Sequence, residues 1–227
     1  MQEAGRSDDQ RYRTVLREIA VKWSHEEVYY KVAFDALHSL WLLGEPRKFF
    51  LENVRKEKEH KWLTYYSIHV LSYDIDEDTL QALERMGTEA SDEHVKGNLR
   101  YAKHVLYLRG ELAKQRNARA KAAFLVQYCG AGFTALSGWT IEENEPTSSL
   151  TQEAVWARIE MARLLLQDRR AVQAAIDSVE FDRVFSIDFT LRYREYIRQT
   201  VAEAAYFLAQ EQRRQAGAVQ QAPRSKK

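Results

Sequence analysis

The stretch SDEHVKGNLRYAKHVLYLRG (Ser91–Gly110) predicts one helix with a marked beginning and a marked end. Ser91 is a favoured residue at a helix N-cap, and Gly110 suits the left-handed residue that follows a last turn. Apolar side chains recur between them at helical spacing, which predicts one buried face. The members of that face are Val95, Leu99, Ala102 and Leu106, with Val105 and Leu108 placed less regularly.

Two upstream segments repeat parts of this helix. Residues 36–44 (ALHSLWLLG) match residues 102–110 (AKHVLYLRG), and residues 66–71 (YSIHVL) match residues 101–106 (YAKHVL). The histidines of the three copies stand 31 and 35 residues apart. Self-similarity at such a period is typical of helical-repeat proteins, so the amino-terminal half is predicted to be a repeat array. We also predict that three apolar residues of the second helices, Leu40, Val70 and Leu106, are buried to equal depth.

Each copy has the pattern of a first helix, a short turn and a second helix that ends at a glycine or an acidic turn. Over residues 11–110 this pattern resembles HEAT repeats of the shorter-period form. The segments that carry the resemblance are ALHSLWLLGEP (36–46), EHKWLTYYSIHVL (59–71) and SDEHVKGNLRYAKHVL (91–106). Ser91, Asp92 and Val95 supply the acidic turn and the branched apolar residue that the family expects. The resemblance implies a HEAT-like α-solenoid of three helix pairs that share one core.

Composition favours an all-α protein. Hydrophobic residues make up 45% and charged residues 30% of the 227 residues, and three prolines with nine glycines provide too few turns for an all-β fold. The net charge of +1 gives no global attraction to nucleic acid or acidic membranes.

Residues 1–20 contain no secretory signal, which predicts a cytoplasmic protein. The predicted regions are a disordered 1–10, the array at 11–110, a helical carboxy-terminal region at 111–214 and a disordered basic tail at 215–227.

Local signals predict where individual helices begin and end. Ser24 and Glu27 have the spacing of a capping box, which predicts the start of a second helix that stops at Gly44. The acidic stretch Asp74–Asp78 predicts the cap of a fifth helix, and Val15, with Ile19 and Ala20, is expected on the inner side of the first helix. The helix expected after residue 149 is predicted to bury one face, formed by Val155, Ile159, Ala162 and Leu166.

Residues 122–141 (Ala122–Ile141) form a run without formal charge, which is the only candidate for a membrane span. Gln127 and Thr134, together with three glycines in the run, favour a helix buried among protein helices instead.

The single cysteine, Cys129, excludes an intramolecular disulfide framework and a Cys-rich zinc site. Its small apolar neighbours predict an inert core thiol.

The histidines suggest metal sites, but we expect neither metal nor cofactor. Each repeat carries one histidine at the equivalent position: His38, His69 and His104. Equivalent residues of neighbouring repeats occupy separate positions, so these imidazoles are predicted to be apart, partly buried and satisfied. Glu57-x-x-His60 and Asp35-x-x-His38 have the i, i+3 spacing used in di-iron bundles, but no further glutamates can be assigned on partner helices.

Residues 55–60 (RKEKEH) match the Arg-x4–6-His signature of HEPN ribonucleases, which are all-helical dimers that act on RNA. This resemblance implies that Arg55 stabilises the scissile phosphate and that His60 acts as acid or base. The family usually has a small polar residue after the arginine, and here it is Lys56. In the repeat interpretation the same residues form a solvated turn. A HEPN-type ribonuclease is therefore the third hypothesis for the function.

The candidate binding residues lie on the 91–110 helix. Lys96, Arg100, Lys103 and Tyr107 follow spacings of four, three and four, which place them on one helix face opposite the apolar stripe. In HEAT-like solenoids the second helices line the concave surface, so these residues would present cations to a partner. We predict a non-catalytic scaffold that binds a protein through this face, without catalytic or metal-ligating residues. Nucleic-acid binding by the same face is the alternative.

Overall fold

The computed structural model describes residues 11–25, 29–55, 60–87, 93–130, 152–179 and 187–221. Within these ranges the protein consists of ten α-helices and one 3-10 turn, Ser72–Asp74, and contains no strand. The prediction of an all-α protein is confirmed. In chain order the helices are α1 (Tyr12–Trp23), α2 (Tyr30–Leu42), α3 (Arg47–Val54), α4 (Lys61–Leu71), α5 (Glu77–Gly87), α6 (Glu93–Ala113), α7 (Ala118–Val126), α8 (Gln152–Gln167), α9 (Arg169–Asp177) and α10 (Ile187–Gln221).

Neighbouring helices of the amino-terminal half pack in pairs. Helix α1 packs against α2, α3 against α4, and α5 against α6. The second helices also contact one another in series, because α4 lies against both α2 and α6. One cluster of buried side chains extends from Leu16 in α1 to Ala205 in α10. The helix pairs and the carboxy-terminal helices therefore share a hydrophobic core.

Helix α8 occupies the centre of the carboxy-terminal half. It contacts the 3-10 turn and four helices, α6, α7, α9 and α10. Since neighbours surround it, α8 is buried around most of its circumference rather than on the single face that the sequence predicts. Its buried residues include Ala154, Val155, Trp156, Ala157, Arg158, Ile159, Met161 and Ala162. Leu166, which was assigned to the buried face, is 48% exposed in the last turn of the helix.

The end of α2 follows the prediction. Gly44 adopts a φ of 72°, the left-handed conformation that favours glycine. The N–H of Glu45 donates to the carbonyl of Leu40, and the N–H of Gly44 donates to that of Trp41, both at 2.9 Å. These two bonds form a Schellman motif, which satisfies carbonyls that would otherwise lack a partner at the helix end.

Helix α6 differs from the prediction in its end and in its inner face. It continues through Gly110 to Ala113, because a glycine costs a helix only about 1 kcal/mol and Leu112 still packs against the core beyond it. Val105 is fully buried, whereas Leu106 is only partly buried. Since Leu40 and Val70 are fully buried, the prediction of equal depth for the three residues is wrong. Ser91 lies outside the described residues.

Two further local predictions are wrong where the structure describes them. The hydroxyl of Ser24 donates to the carbonyl of Val21 at 2.7 Å, so it closes α1 instead of opening α2; Glu27 lies outside the described residues. Val15 is 50% exposed, because Leu16 and Ala20 form the inner side of α1. Helix α10 extends to Gln221, and residues 222–227 of the predicted tail lie outside the described residues.

The uncharged run is a short buried helix in its described part. Helix α7 ends at Val126, a turn follows to residue 130, and residues 131–141 lie outside the described residues. Ala122, Leu125 and Cys129 are fully buried. Burial raises the pKa of the Cys129 thiol to about 12, which favours the unreactive protonated form. No helix in the described ranges has the length and apolar character needed to cross a membrane.

Candidate functional site

The structure places the four predicted binding residues on the outer side of α6. Helix α6 is continuous from Glu93 to Ala113, so Lys96, Arg100, Lys103 and Tyr107 share one helix face, and we call these four residues the α6 outer face. Val95, Leu99 and Ala102 point into the core on the opposite side. Tyr107 is 61% exposed, and Arg100 and Lys103 are exposed as well.

Two of the three cations of the α6 outer face are paired with glutamates. Lys96 Nζ lies 2.8 Å from Glu93 Oε1, and Lys103 Nζ lies 2.6 Å from Glu84 Oε1 on α5. Arg100 forms no ion pair within the described part of the chain. The face is therefore less positive than its sequence indicates, and its cations are not all free for an anionic partner.

Two further aromatic groups, Tyr101 and His104, lie at this surface, and the sequence analysis assigned neither of them to it. Tyr101 is 52% exposed beside the α6 outer face. The His104 ring stacks on the Tyr107 ring, with centroids 6.2 Å apart and an interplanar angle of 12°. His104 Nδ1 lies 3.1 Å from Glu153 Oε1 of α8, so this exposed histidine is not the partly buried residue that was predicted.

The other two repeat-equivalent histidines are close together rather than separate. Because α2 packs on α4, the rings of Phe34 and Tyr73 each contact both imidazoles. The ring centroid of Tyr73 lies 5.6 Å from that of His38 and 5.4 Å from that of His69. His38 Nδ1 is 3.3 Å from the Tyr73 hydroxyl. Burial raises the pKa of this phenol, so it stays protonated. The cluster lacks carboxylate or thiolate ligands, and no group of three metal-ligating side chains occurs among the described residues.

The residues of the ribonuclease hypothesis lie between α3 and α4. Arg55 is exposed at the end of α3, and His60 precedes α4 with its ring centroid 4.0 Å from that of His25. Lys56 and Glu57, the latter needed for the di-iron spacing, lie outside the described residues. The Arg-x4-His hypothesis therefore stays a prediction.

Asp74, in the predicted acidic turn, joins three helices through arginines. Its carboxylate lies 3.3 Å from Arg47 of α3, 3.7 Å from Arg109 of α6 and 3.6 Å from Arg163 of α8. Asp76 also pairs with Arg47. Within the described ranges, Asp74 and Asp76 therefore pair with these arginines and not with the cations of the α6 outer face. The partners are far apart in sequence, so no local pattern could have identified them.

The contribution of Asp76 to the stability of the fold depends on pH, and this dependence can be measured. Its Oδ1 accepts the Thr79 N–H at 2.8 Å, which confirms the predicted acidic cap of α5. Burial acts to raise the pKa of Asp76, but hydrogen bonds from Thr79 and the charge of Arg47 outweigh it and lower the pKa to about 2. A lowered pKa stabilises the fold above the unfolded-state value of about 3.9, and this contribution is lost as the pH falls toward about 2.

We therefore expect Asp76→Asn to lower the melting temperature at pH 7 and to have a diminishing effect between about pH 4 and pH 2. Asparagine caps a helix as well as aspartate does, so the substitution isolates the charge. Thermal unfolding followed by circular dichroism across this range measures the difference. Asp168→Asn changes the N-cap of α9 and serves as the control. A variant that loses the same stability at every pH would show that the charge does not matter.

No family model, curated protein or solved structure matches this chain. The chemistry of the α6 outer face is therefore the basis for a proposed function. The α6 outer face combines an exposed tyrosine with one cation that lacks an ion pair among the described residues, and Tyr101 is exposed beside it. Such a surface has the chemistry of a binding site.

Proposed function

We propose that the protein is a non-catalytic scaffold, a HEAT-like α-solenoid, that binds an acidic segment of a protein partner through the α6 outer face. The observation that carries the proposal is the exposure of Tyr101 and Tyr107 on the same helix as the exposed Arg100. Tyrosine and arginine are enriched among the residues that contribute most to protein–protein binding. Both side chains offer a large contact area together with hydrogen-bond donors for carboxylates.

The repeat interpretation is supported by the packing order of the helices. The three predicted pairs contact each other internally, and α2, α4 and α6 contact in series. Stacked helix pairs of this kind present their second helices on one surface, which is the surface on which the resemblance places the partner. In this arrangement α6 contributes the binding residues and the preceding pairs hold it in position.

Charge distribution favours a protein partner over nucleic acid. Glu84 and Glu93 neutralise two of the three cations, and Glu153 lies beside His104. A surface that tracks a phosphate backbone needs several cations without such neighbours, because each neutralised phosphate contributes to affinity through counterion release. Nucleic-acid binding by the same face remains the second candidate, since Arg100 is exposed and the tyrosines could stack on bases.

The variant Lys96→Glu/Arg100→Glu is expected to abolish partner binding and to leave the melting temperature nearly unchanged. The reversed charges would repel an acidic segment, whereas exposed ion pairs contribute only about 0–1 kcal/mol to stability. Partners captured by the parent protein from nuclease-treated lysate are identified and then tested with the purified variants. Arg169→Glu/Arg170→Glu makes the same charge change on exposed residues of α9 and should bind normally.

The same binding assay separates the alternatives. Affinity for nucleic acid should fall steeply with salt, in proportion to the number of phosphates contacted, whereas a protein partner should show a shallower dependence. If the double variant binds as the parent protein does, the functional surface lies elsewhere. A ribonuclease activity of the parent protein that is lost in His60→Ala would replace the scaffold proposal with the HEPN hypothesis.

A further inference from the structure

A cavity of about 350 Å³ lies between α2, α8 and α10, and none of the four residues of the α6 outer face lines it. Its volume falls at the lower end of the range typical of small-molecule sites, about 300–1,000 Å³. Arg47 and Glu203 belong to its lining and are also exposed to solvent, so a ligand can enter from outside. The cavity therefore has the size and the access that a small-molecule site requires.

Aromatic rings form two opposite parts of the lining, Phe34 and Trp41 on α2 and Phe207 on α10. The α2 rings are held in place by their neighbours. Trp41 meets Tyr73 edge to face at 5.3 Å and 87°, and Phe34 meets His69 in the same way at 5.3 Å. Rings that are already oriented lose little entropy when a ligand packs on them. The apolar part of the cavity therefore favours a flat ring.

The formal charges of the lining cancel. Among the described residues that line the cavity are three carboxylates and three guanidinium groups, which belong to Glu45, Asp74, Glu203, Arg47, Arg158 and Arg163. The lining therefore has a formal charge of zero when its histidine is neutral. Such a lining does not concentrate ligands of either sign, so any preference for charge would have to come from single groups.

Each of the three carboxylates already has a partner in the protein. Glu45 pairs with Arg17, and Asp74 lies 3.3 to 3.7 Å from three arginines, one of which is Arg47 of the lining. Glu203 also takes part in an interaction within the chain. A cationic ligand would have to compete with these partners for every carboxylate that it could reach.

The guanidinium groups are engaged in the same way. Arg158 is 6% exposed; it donates to the carbonyl of Cys129 at 2.8 Å and to the hydroxyl of Tyr196 at 3.0 Å, and it has a further interaction. Arg163 pairs with two carboxylates, at 2.5 and 3.6 Å. Arg47, already paired with Asp74, also pairs with a second aspartate. An anionic ligand would therefore meet the same competition as a cationic one.

We propose that this cavity binds an uncharged, flat aromatic molecule, with its ring against Phe34, Trp41 and Phe207. An uncharged ring gains free energy from apolar burial and leaves the ion pairs of the lining intact. A charged ligand loses its hydration on entry, and each counter-charge that could compensate it already has a partner. The site is separate from the α6 outer face, so Lys96→Glu/Arg100→Glu should leave ligand binding unchanged.

The first test is calorimetric titration of the full chain with indole-3-ethanol, indole-3-acetate and indole-3-ethylamine. At pH 7 these compounds share a ring system and are neutral, anionic and cationic, respectively. The expected Kd for indole-3-ethanol is about 0.1–1 mM, in the range for a ligand of this size. The anion and the cation should each bind at least about tenfold more weakly.

Two pairs of variants on α10 locate the site. Ala204→Trp fills the cavity and should abolish binding of indole-3-ethanol, whereas Ala202→Trp makes the same change at an exposed position outside the lining and should bind like the parent protein. Phe207→Ala removes a ring of the lining and should weaken binding about threefold to tenfold. Tyr206→Ala removes the adjacent exposed ring and is the matched control.

Each alternative result overturns the proposal. No binding of indole-3-ethanol to the folded parent protein would show that the cavity is not such a site. An ionised compound that binds as tightly as indole-3-ethanol would show that the paired charges do not exclude charged ligands. Unchanged affinity in Phe207→Ala, or in an Ala204→Trp variant that circular dichroism shows to be folded, would place the ligand outside this cavity.

Discussion

Replacing Trp156 with alanine is expected to lower the free energy of unfolding by about 3–5 kcal/mol, the range for removing a large aromatic side chain from a core. Trp156 is fully buried in the amino-terminal half of α8, a helix that four other helices and the 3-10 turn surround. The cavity left by the indole cannot close without moving several helices at once. At about 2–4 °C per kcal/mol for a chain of this size, the melting temperature should fall by about 6–20 °C.

Two controls separate cavity formation from other effects of this substitution. Leu166→Ala changes a residue of the same helix that is 48% exposed, and it should alter the free energy of unfolding by less than about 0.5 kcal/mol. Trp156→Phe keeps much of the ring volume and removes the indole N–H, which has no acceptor among the described residues. This substitution should lower the free energy of unfolding clearly less than Trp156→Ala does. Equal losses in the phenylalanine and alanine variants would contradict the packing explanation.

Local features were predictable because their causes are local. Helical spacing placed Arg100 and Tyr107 opposite Val95 and Leu99, and the structure confirms that the first two are exposed and the last two buried. Gly44 ends its helix because glycine adopts a positive φ without strain, a property of the residue itself. The acidic stretch that includes Asp76 caps α5 because the carboxylate lies three residues before the N–H that it accepts.

Features that depend on packing between distant elements were not predictable. Periodicity could not predict that Val105 is more deeply buried than Leu106. The direction of the core relative to α6 depends on where α8 lies. The all-round burial of α8 follows from its neighbours and not from its own pattern. Asp74 meets Arg47 and Arg163 only because the fold brings the 3-10 turn close to α3 and α8. A cavity lined by residues of α2, α8 and α10 has the same origin, because these helices are distant in sequence.

The double substitution Arg13→Met/Arg17→Met is expected to destabilise the protein by about 3–5 kcal/mol, the cost of leaving a buried carboxylate without its partners. The Glu45 side chain is only 1% exposed, directly after the left-handed Gly44. It pairs with Arg17, and Arg13 Nε lies 3.9 Å away. Methionine retains most of the aliphatic packing of each arginine, so the change removes mainly the positive charges. Chemical denaturation at neutral pH measures the loss.

Adding Glu45→Gln to the double variant should recover most of that stability, because the neutral amide has a far smaller desolvation penalty than the carboxylate. The hydrogen bonds from Arg13 to the carbonyls of Leu43 and Gly44, at 2.5 and 3.1 Å, remain lost in the triple variant, so recovery should be incomplete. Lys48→Met breaks an exposed ion pair with Glu52, where the side chains are 85% and 52% exposed, and should cost less than about 0.5 kcal/mol. A triple variant no more stable than the double one would show that the loss comes from the helix end and not from the buried charge.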